Sequence, residues 1–221
     1  MRRSVYDPLL GHPILGSAIL PKAISLGGRM EITGYTKITD KKWLNLFDIE
    51  YRDKNNQPKT WEVVSRKPVP KCISNAFDPP DAVVIVPFHK DEKKLVVIRE
   101  YRVALAGYEY ALPAGLIDEG EIIETTSRRE LKEETGLELV EIRKISPTLY
   151  GTAGMTDENF VIVYCDCDGT VSTSGNEGTE TIETLLVSGE DAKDLLNDKE
   201  TKFDVKLWLE LSRFADNGWM D

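Results

Sequence analysis

The sequence predicts an α+β chain, with a mixed sheet flanked by helices and preceded by a small antiparallel β-sheet. Three observations carry this. Segments 43–51 and 60–65 have strand character and bracket a polar turn, and a proline-rich stretch follows them. Two uninterrupted apolar runs, Ala82–Val86 and Leu95–Ile98, read as neighbouring buried strands. Two segments read as helices, one stopped by a glycine and one with a broad apolar face.

Taken in order, residues 1–29 mix basic residues and apolar patches interrupted by Asp7, Pro8, His12 and Pro13, which suits an irregular arm and poorly suits a signal peptide. Met30 to Thr39 reads as a strand. Trp43, Phe47, Ile49 and Tyr51 share one face of the next strand, with Asp48 and Glu50 opposite. Asp53 to Pro58 is turn chemistry, and Thr60 to Ser65 completes a hairpin. Pro68, Pro70, Pro79 and Pro80 keep the segment from Lys67 to Pro80 out of any central strand, so a boundary falls there. The division is therefore 1–29 arm, 30–78 N-terminal sheet and 79–221 main domain. In the main domain, Tyr108 to Leu112 is a short strand ending at Pro113-Ala114-Gly115, and a helix from about Ile122 to Thr135 stops at Gly136. Strands follow near Leu139–Ile145, Phe160–Cys165 and Ile182–Val187. Val205, Leu207, Trp208, Leu211 and Phe214 form the apolar face of a closing helix.

Composition excludes several classes of function. The 221 residues carry 38 Asp and Glu against 28 Lys and Arg, a formal charge of -10. A broad basic surface for nucleic acid is not available from that balance. With only His12 and His89, a His-rich zinc site or a Ser-His-Asp triad has little to work with. Three cysteines do not make a disulfide framework, and Cys165 and Cys167 read as packing residues of one strand face. No apolar run approaches the ~20 residues of a membrane span, and the chain is expected to be cytoplasmic.

The acidic excess is local. Asp118–Glu134 has seven acids and three bases, a net of -4, and Glu177–Asp191 has five acids and no base, a net of -5; together they account for -9 of the -10. Within the first segment, Glu130, Glu133 and Glu134 share one helical face near the helix C-terminus. Like charges at that spacing repel, and the dipole there disfavours anions. A divalent cation relieves both problems, and oxygen donors suit Mg²⁺ or Mn²⁺.

Gly115, Glu121, Arg129, Glu130, Leu131, Glu133, Glu134, Gly136 and Leu137 fill every defined position of G-x5-E-x7-R-E-U-x-E-E-x-G-U, where U is aliphatic. The segment thus resembles the Nudix box. That resemblance implies a Nudix α/β/α sandwich and a metal-dependent hydrolase. It makes Glu130 and Glu134 the first metal ligands, with Glu133 beside them and the Ala114 carbonyl as a further contact. Arg129 is implied to orient this face by pairing with a glutamate such as Glu121. Thr125-Thr126-Ser127 departs from the small helix-favouring residues common there, and no ligand is lost.

YRVALAGYEYALPAGLIDEGE, KTWEVVSR and the order of sheets are similar to ADP-ribose pyrophosphatase-type Nudix enzymes. The resemblance spans roughly Trp43 to Val187. It implies a homodimer that exchanges its N-terminal sheets, with Trp43 and Trp61 stacked on the base; packing in the hairpin core is the other reading of these tryptophans. It also implies substrate contacts from Arg66, Arg102 and Leu116. The general base is sought outside the box: Glu180 aligns best, with Glu158 and Glu183 as alternatives and Glu133 and Arg129 supporting the chemistry. Ala153 stands where ADP-ribose enzymes usually have a proline, which weakens the choice of ADP-ribose over another nucleotide sugar. The expected reaction is Mg²⁺- or Mn²⁺-dependent cleavage of ADP-ribose to AMP and ribose 5-phosphate. GDP-mannose or another nucleotide sugar, or a non-hydrolytic ADP-ribose-binding regulator, are the alternatives. The partner is a small nucleoside diphosphate derivative, with neither nucleic acid nor membrane.

Overall fold

The structure, a computed structural model, describes residues 30–172 and 181–219. Three antiparallel strands, β1 (Glu31–Lys37), β2 (Asn45–Arg52) and β3 (Pro58–Ser65), form the N-terminal sheet in the order β1-β2-β3. β2 is its centre because its alternation buries Phe47 and Ile49. The β2–β3 turn is closed by Asp53, whose carboxylate accepts from the amides of Asn55 and Gln57 at 2.8 and 2.9 Å. Asn45 closes the other end, accepting from the Lys41 amide at 2.7 Å and donating to the Lys41 carbonyl at 2.9 Å. Trp43 lies in that connection, outside the strand and away from the buried face of Phe47 and Ile49.

The second sheet is built on β4 (Ala82–His89), β5 (Lys94–Arg102), β8 (Glu138–Ile145), β10 (Asn159–Asp168) and β11 (Ile182–Val187), in the order β11-β5-β4-β10-β8. Three short strands lie off this path: β6 (Gly107–Ala111) on β5, β7 (Ala114–Leu116) on β4 and β9 (Leu149–Tyr150) on β10. β10 runs parallel to β4 and the other pairings are antiparallel, so the sheet is mixed. The apolar run of β4 serves two cores at once. Val83 and Ile85 pack with Leu131 and Leu137 on one face, and Val84, Val86 and Phe88 with Leu207, Leu211 and Phe214 on the other.

Helix α2 (Ile123–Thr135) covers the first face, while α3 (Gly189–Asn197) and α4 (Val205–Asn217) cover the second. A four-residue α1 (Lys71–Ser74) sits in the proline-rich linker. α3 was not among the expected helices, yet its signal is present: Ser188 caps the helix and Asp191 reciprocates, a complete capping box. Cys165 and Cys167 belong to the core on the α2 side, where burial pushes both thiols up, Cys167 to about 12. Among the described residues, no helix is long and apolar enough to cross a membrane.

Candidate active site

The site begins at α2. Gly136 ends the helix with φ of 76°, and a Cβ there would meet the Ser172 backbone nitrogen at 2.7 Å, so chain reversal and close packing both call for glycine. At its other flank, β7 lies against the helix with equal closeness. A Cβ on Gly115 would fall 1.9 Å from the Glu130 carboxylate, so only a glycine lets the strand backbone meet that side chain. One turn on, Glu134 is 6% exposed and accepts from the Ala114 amide at 3.1 Å. The strand after Pro113 and the helix face therefore meet through glutamates.

Arg129 organises the rest of this face. Its Nε and Nη2 donate to the two oxygens of Glu121 at 3.1 and 2.9 Å, a bidentate pair. Its Nη1 donates to Glu130 at 2.6 Å and Glu133 at 3.2 Å, and its Nη2 also reaches the Leu116 carbonyl. The Arg129 hydrogen bonds, with a further one from Thr126, hold the Glu121 carboxyl down at about 2. Glu121, and then Glu130 and Glu133, raise the pKa of Arg129, so it stays charged throughout the working range.

Three carboxylates thus hydrogen-bond to one guanidinium. Among the described residues, no three acidic, histidine or cysteine side chains already form a closed cage, and Arg129 spans Glu121, Glu130 and Glu133. The donor set is nevertheless all oxygen, rich in negative charge and partly buried, which fits a hard divalent cation. Glu130, Glu133, Glu134 and the Ala114 backbone are the groups that can hold one.

Beside this face opens a cavity of about 340 Å³. Arg66, Arg102, Ala114, Leu116, Glu158 and Lys206 line it, together with the backbone turn at Gly151 and Thr152. Arg66 donates from Nε to Glu158 at 2.5 Å. Arg102 pairs with Glu100 at 2.8 Å and Glu109 at 3.5 Å. The basic side chains Arg66, Arg102 and Lys206 therefore share one space with β7, whose other contact is the glutamate face of α2.

A model of the NUDIX domain family matches residues 78–209. The chain belongs to the Nudix family. Over 132 residues it is 35% identical to an ADP-ribose pyrophosphatase of Saccharomyces cerevisiae, covering 59% of this chain and 55% of the relative. It is 27% identical over 133 residues to an ADP-sugar pyrophosphatase of Mus musculus, covering 59% and 58%. Those alignments span little more than half the length of either relative. The crystal structure of an ADP compounds hydrolase superposes with a TM-score of 0.63 over 87% of this chain and 98% of that one, at 21% identity, a likeness of fold.

The Nudix fold brings together Arg66, Arg102, Ala114, Leu116, Arg129, Glu130, Glu133, Glu134 and Glu158, which come from five separate stretches of sequence. It keeps Trp43 and Trp61 apart within one chain. Asn45 pairs with Ser65 and Ile49 with Trp61, so the Trp61 backbone lies four ladder positions, ~13 Å, from the end of β2 that follows Trp43. Both are exposed, 70% and 52%, so neither packs as hairpin core in the single chain. Trp43 lies under the Lys42 ammonium at 4.1 Å, and Trp61 donates its indole N–H to the Gly154 carbonyl at 3.1 Å. Trp61 also borders an apolar cavity of about 410 Å³ with Ile32, Ile49, Tyr51 and Val63.

Glu183, an alternative base, is bound to Arg99 at 2.9 Å on β11, and it does not line the 340 Å³ cavity. Glu180 lies outside the described residues. The residues flanking its segment meet the C-terminal end of α2: the Ser172 amide donates to the Thr135 carbonyl at 2.9 Å, and Thr184 Oγ1 to the Glu134 carbonyl at 3.2 Å. Sequence reasoning missed Lys206 and Phe160 as cavity residues. Neither belongs to a motif. Each enters because α4 and β10 begin at the same end of the sheet.

Proposed function

We propose that this Nudix chain hydrolyses the diphosphate bond of a nucleoside diphosphate derivative, with ADP-ribose as the first candidate and AMP and ribose 5-phosphate as products. The observation that carries the reading is the position of β7: its Gly115 packs on the Glu130 carboxylate and its Ala114 amide donates to Glu134, and the same two residues wall a cavity lined by Arg66 and Arg102. An acidic protein accepts a diphosphate there only with cations between the two sets of charges. Similarity to enzymes named for ADP-ribose and ADP-sugars supports the choice of substrate class.

In this reading Glu130, Glu133, Glu134 and the Ala114 carbonyl hold Mg²⁺ or Mn²⁺. The bound ions supply a water of lowered pKa and charge neutralisation on the phosphate oxygens. Arg129 keeps Glu121, Glu130 and Glu133 aligned. Arg66 and Arg102 bind the diphosphate oxygens, and Leu116 borders the reacting group. Water adds to one phosphorus, the bridging P–O bond breaks, and a carboxylate takes the water proton. Glu180 is the first choice for that base and Glu158 the second.

Trp43 and Trp61 bind the base. Sandwiching a ring between two others needs roughly 7 Å between the outer planes. In this reading the two tryptophans over one base come from different chains, and the working unit is a homodimer. Stacking contributes on the order of 1–3 kcal/mol per aromatic.

The decisive experiment offers ADP-ribose, GDP-mannose, NADH and dinucleoside polyphosphates with Mg²⁺ or Mn²⁺. ADP-ribose is expected to give AMP and ribose 5-phosphate, and EDTA to abolish turnover. Tight binding of ADP-ribose without turnover under either metal would replace hydrolysis by a sensor role.

A further inference from the structure

Outside the carboxylate face, the most heavily invested polar group is Lys71. It is fully buried, its Nζ 2.5 Å from Asp81 Oδ2 and 2.7 Å from Asn159 Oδ1. Burying an ammonium is expensive unless it is paired and hydrogen-bonded. Such pairs are often no more stabilising than apolar residues of the same size, and their best-attested use is to fix an arrangement. What Lys71 fixes can be followed bond by bond.

Asp81 and Asn159 immediately precede the parallel pair Ala82 and Phe160, so they stand at the start of β4 and β10. They are locked reciprocally: the Asp81 amide donates to Asn159 Oδ1 at 3.0 Å, and the Asn159 amide to Asp81 Oδ2 at 3.1 Å. Asp81 also holds β7, because its carbonyl accepts from the Ile117 amide at 2.9 Å. Asn159 holds the linker, donating from Nδ2 to the Phe77 carbonyl at 2.8 Å. Lys71 is itself linker, and its amide donates to Asp157 Oδ2 at 2.8 Å. Lys67 completes the cluster, 3.1 Å from Asp81 Oδ1. Burial works against the charge on Asp81, but Lys71, the Asn159 amide and Lys67 outweigh it and keep the carboxyl below its ordinary range.

Three segments meet at this cluster: the linker that follows Arg66, β7 with Ala114 and Leu116, and the loop that carries Glu158. These segments deliver much of the cavity wall. We propose that Lys71 is a positioning residue, whose ammonium joins the N-terminal linker to the Asp81–Asn159 pair and so sets Arg66, Ala114 and Glu158 in register around the cavity. This rests on the hydrolytic reading of that cavity, and the test separates the two.

Lys71→Met alone leaves Asp81 buried with less compensation, so it is compared with Lys71→Met/Asp81→Asn, which removes both charges. The double variant is expected to regain most of the thermal stability lost by the single one. Its kcat/KM for ADP-ribose, measured well below the melting transition, is expected to stay about tenfold or more below wild type, since small displacements of positioned groups are costly. Amide exchange at 81, 117 and 159 should quicken about tenfold, with 96–98 in β5 unchanged. Recovery of activity and protection together with stability would overturn the proposal, leaving Lys71 a purely structural charge. If neither variant folds, wild-type exchange decides: the amides of Asp81, Ile117 and Asn159 should open as one unit, and independent opening overturns the proposal. Failure of wild type to cleave any diphosphate would count against the proposed function, while the exchange results would still judge the clamp.

Discussion

Glu134 shows how much one side chain can combine. It is buried, it belongs to the acid-rich face of α2, and it accepts from the Ala114 amide. Glu134→Gln keeps the shape and can still accept that hydrogen bond, so the fold should survive. With Glu134 in the proposed metal set, turnover should fall on the order of 100-fold or more, because a charge that would hold the cation is lost. Near-normal kcat with added Mg²⁺ would remove Glu134 from the metal set. Glu121 supports a different prediction. Its folded pKa, about 2, is depressed from 4.5 by Arg129 and then Thr126. The stabilisation is therefore complete above the unfolded value and lost as pH falls from about 4.5 towards 2. Glu121→Gln should flatten that part of a stability–pH curve, and an unchanged acid limb would mean the pair with Arg129 contributes nothing in solution.

At the scale of elements, the contact of β7 with α2 makes the sharpest demand. A methyl group at residue 115 has no room beside the Glu130 carboxylate. Gly115→Ala should therefore displace Glu130 or lift the strand, lowering kcat by about tenfold or more while circular dichroism stays close to wild type. Wild-type activity would show that the carboxylate moves aside at no cost. Much of α2 was legible in sequence because its signals are local: Gly136 at its end, Leu131 inward, and glutamates at i, i+3 and i+4. α3 was overlooked although Ser188 and Asp191 spell out a cap, because the segment is short and its apolar periodicity is brief. β7, only three residues long, has no periodicity to read and exists because β4 offers it a partner.

For the whole molecule, the proposed base site of Trp43 and Trp61 is a question of assembly. Trp61→Ala should raise KM for ADP-ribose by about tenfold with a smaller change in kcat, as expected for lost stacking. A mixture of Trp43→Ala and Trp61→Ala chains tests the shared sandwich. If each base site draws one tryptophan from each chain, mixed dimers contain one intact site, and activity should rise well above either parent at equal total protein. No rise on mixing, in a preparation shown to exchange chains, would return both tryptophans to a single subunit.

The residues of the box were readable from sequence because their spacing follows the helix repeat and two required glycines. Local backbone geometry and like-charge repulsion act over a few residues, so linear order preserves their trace. The sequence by itself determined the family pattern, the acidic face and the division into a small sheet and a larger mixed one. Tertiary structure decided which distant residues meet: Arg66 with Glu158, Lys206 and Phe160 at the cavity, Gly115 against Glu130, and Lys71 beneath the starts of β4 and β10. Those contacts arise from strand pairing and desolvation between segments tens of residues apart. Nothing in local spacing encodes them, because a buried lysine and an exposed one are the same letter until the chain closes over one of them.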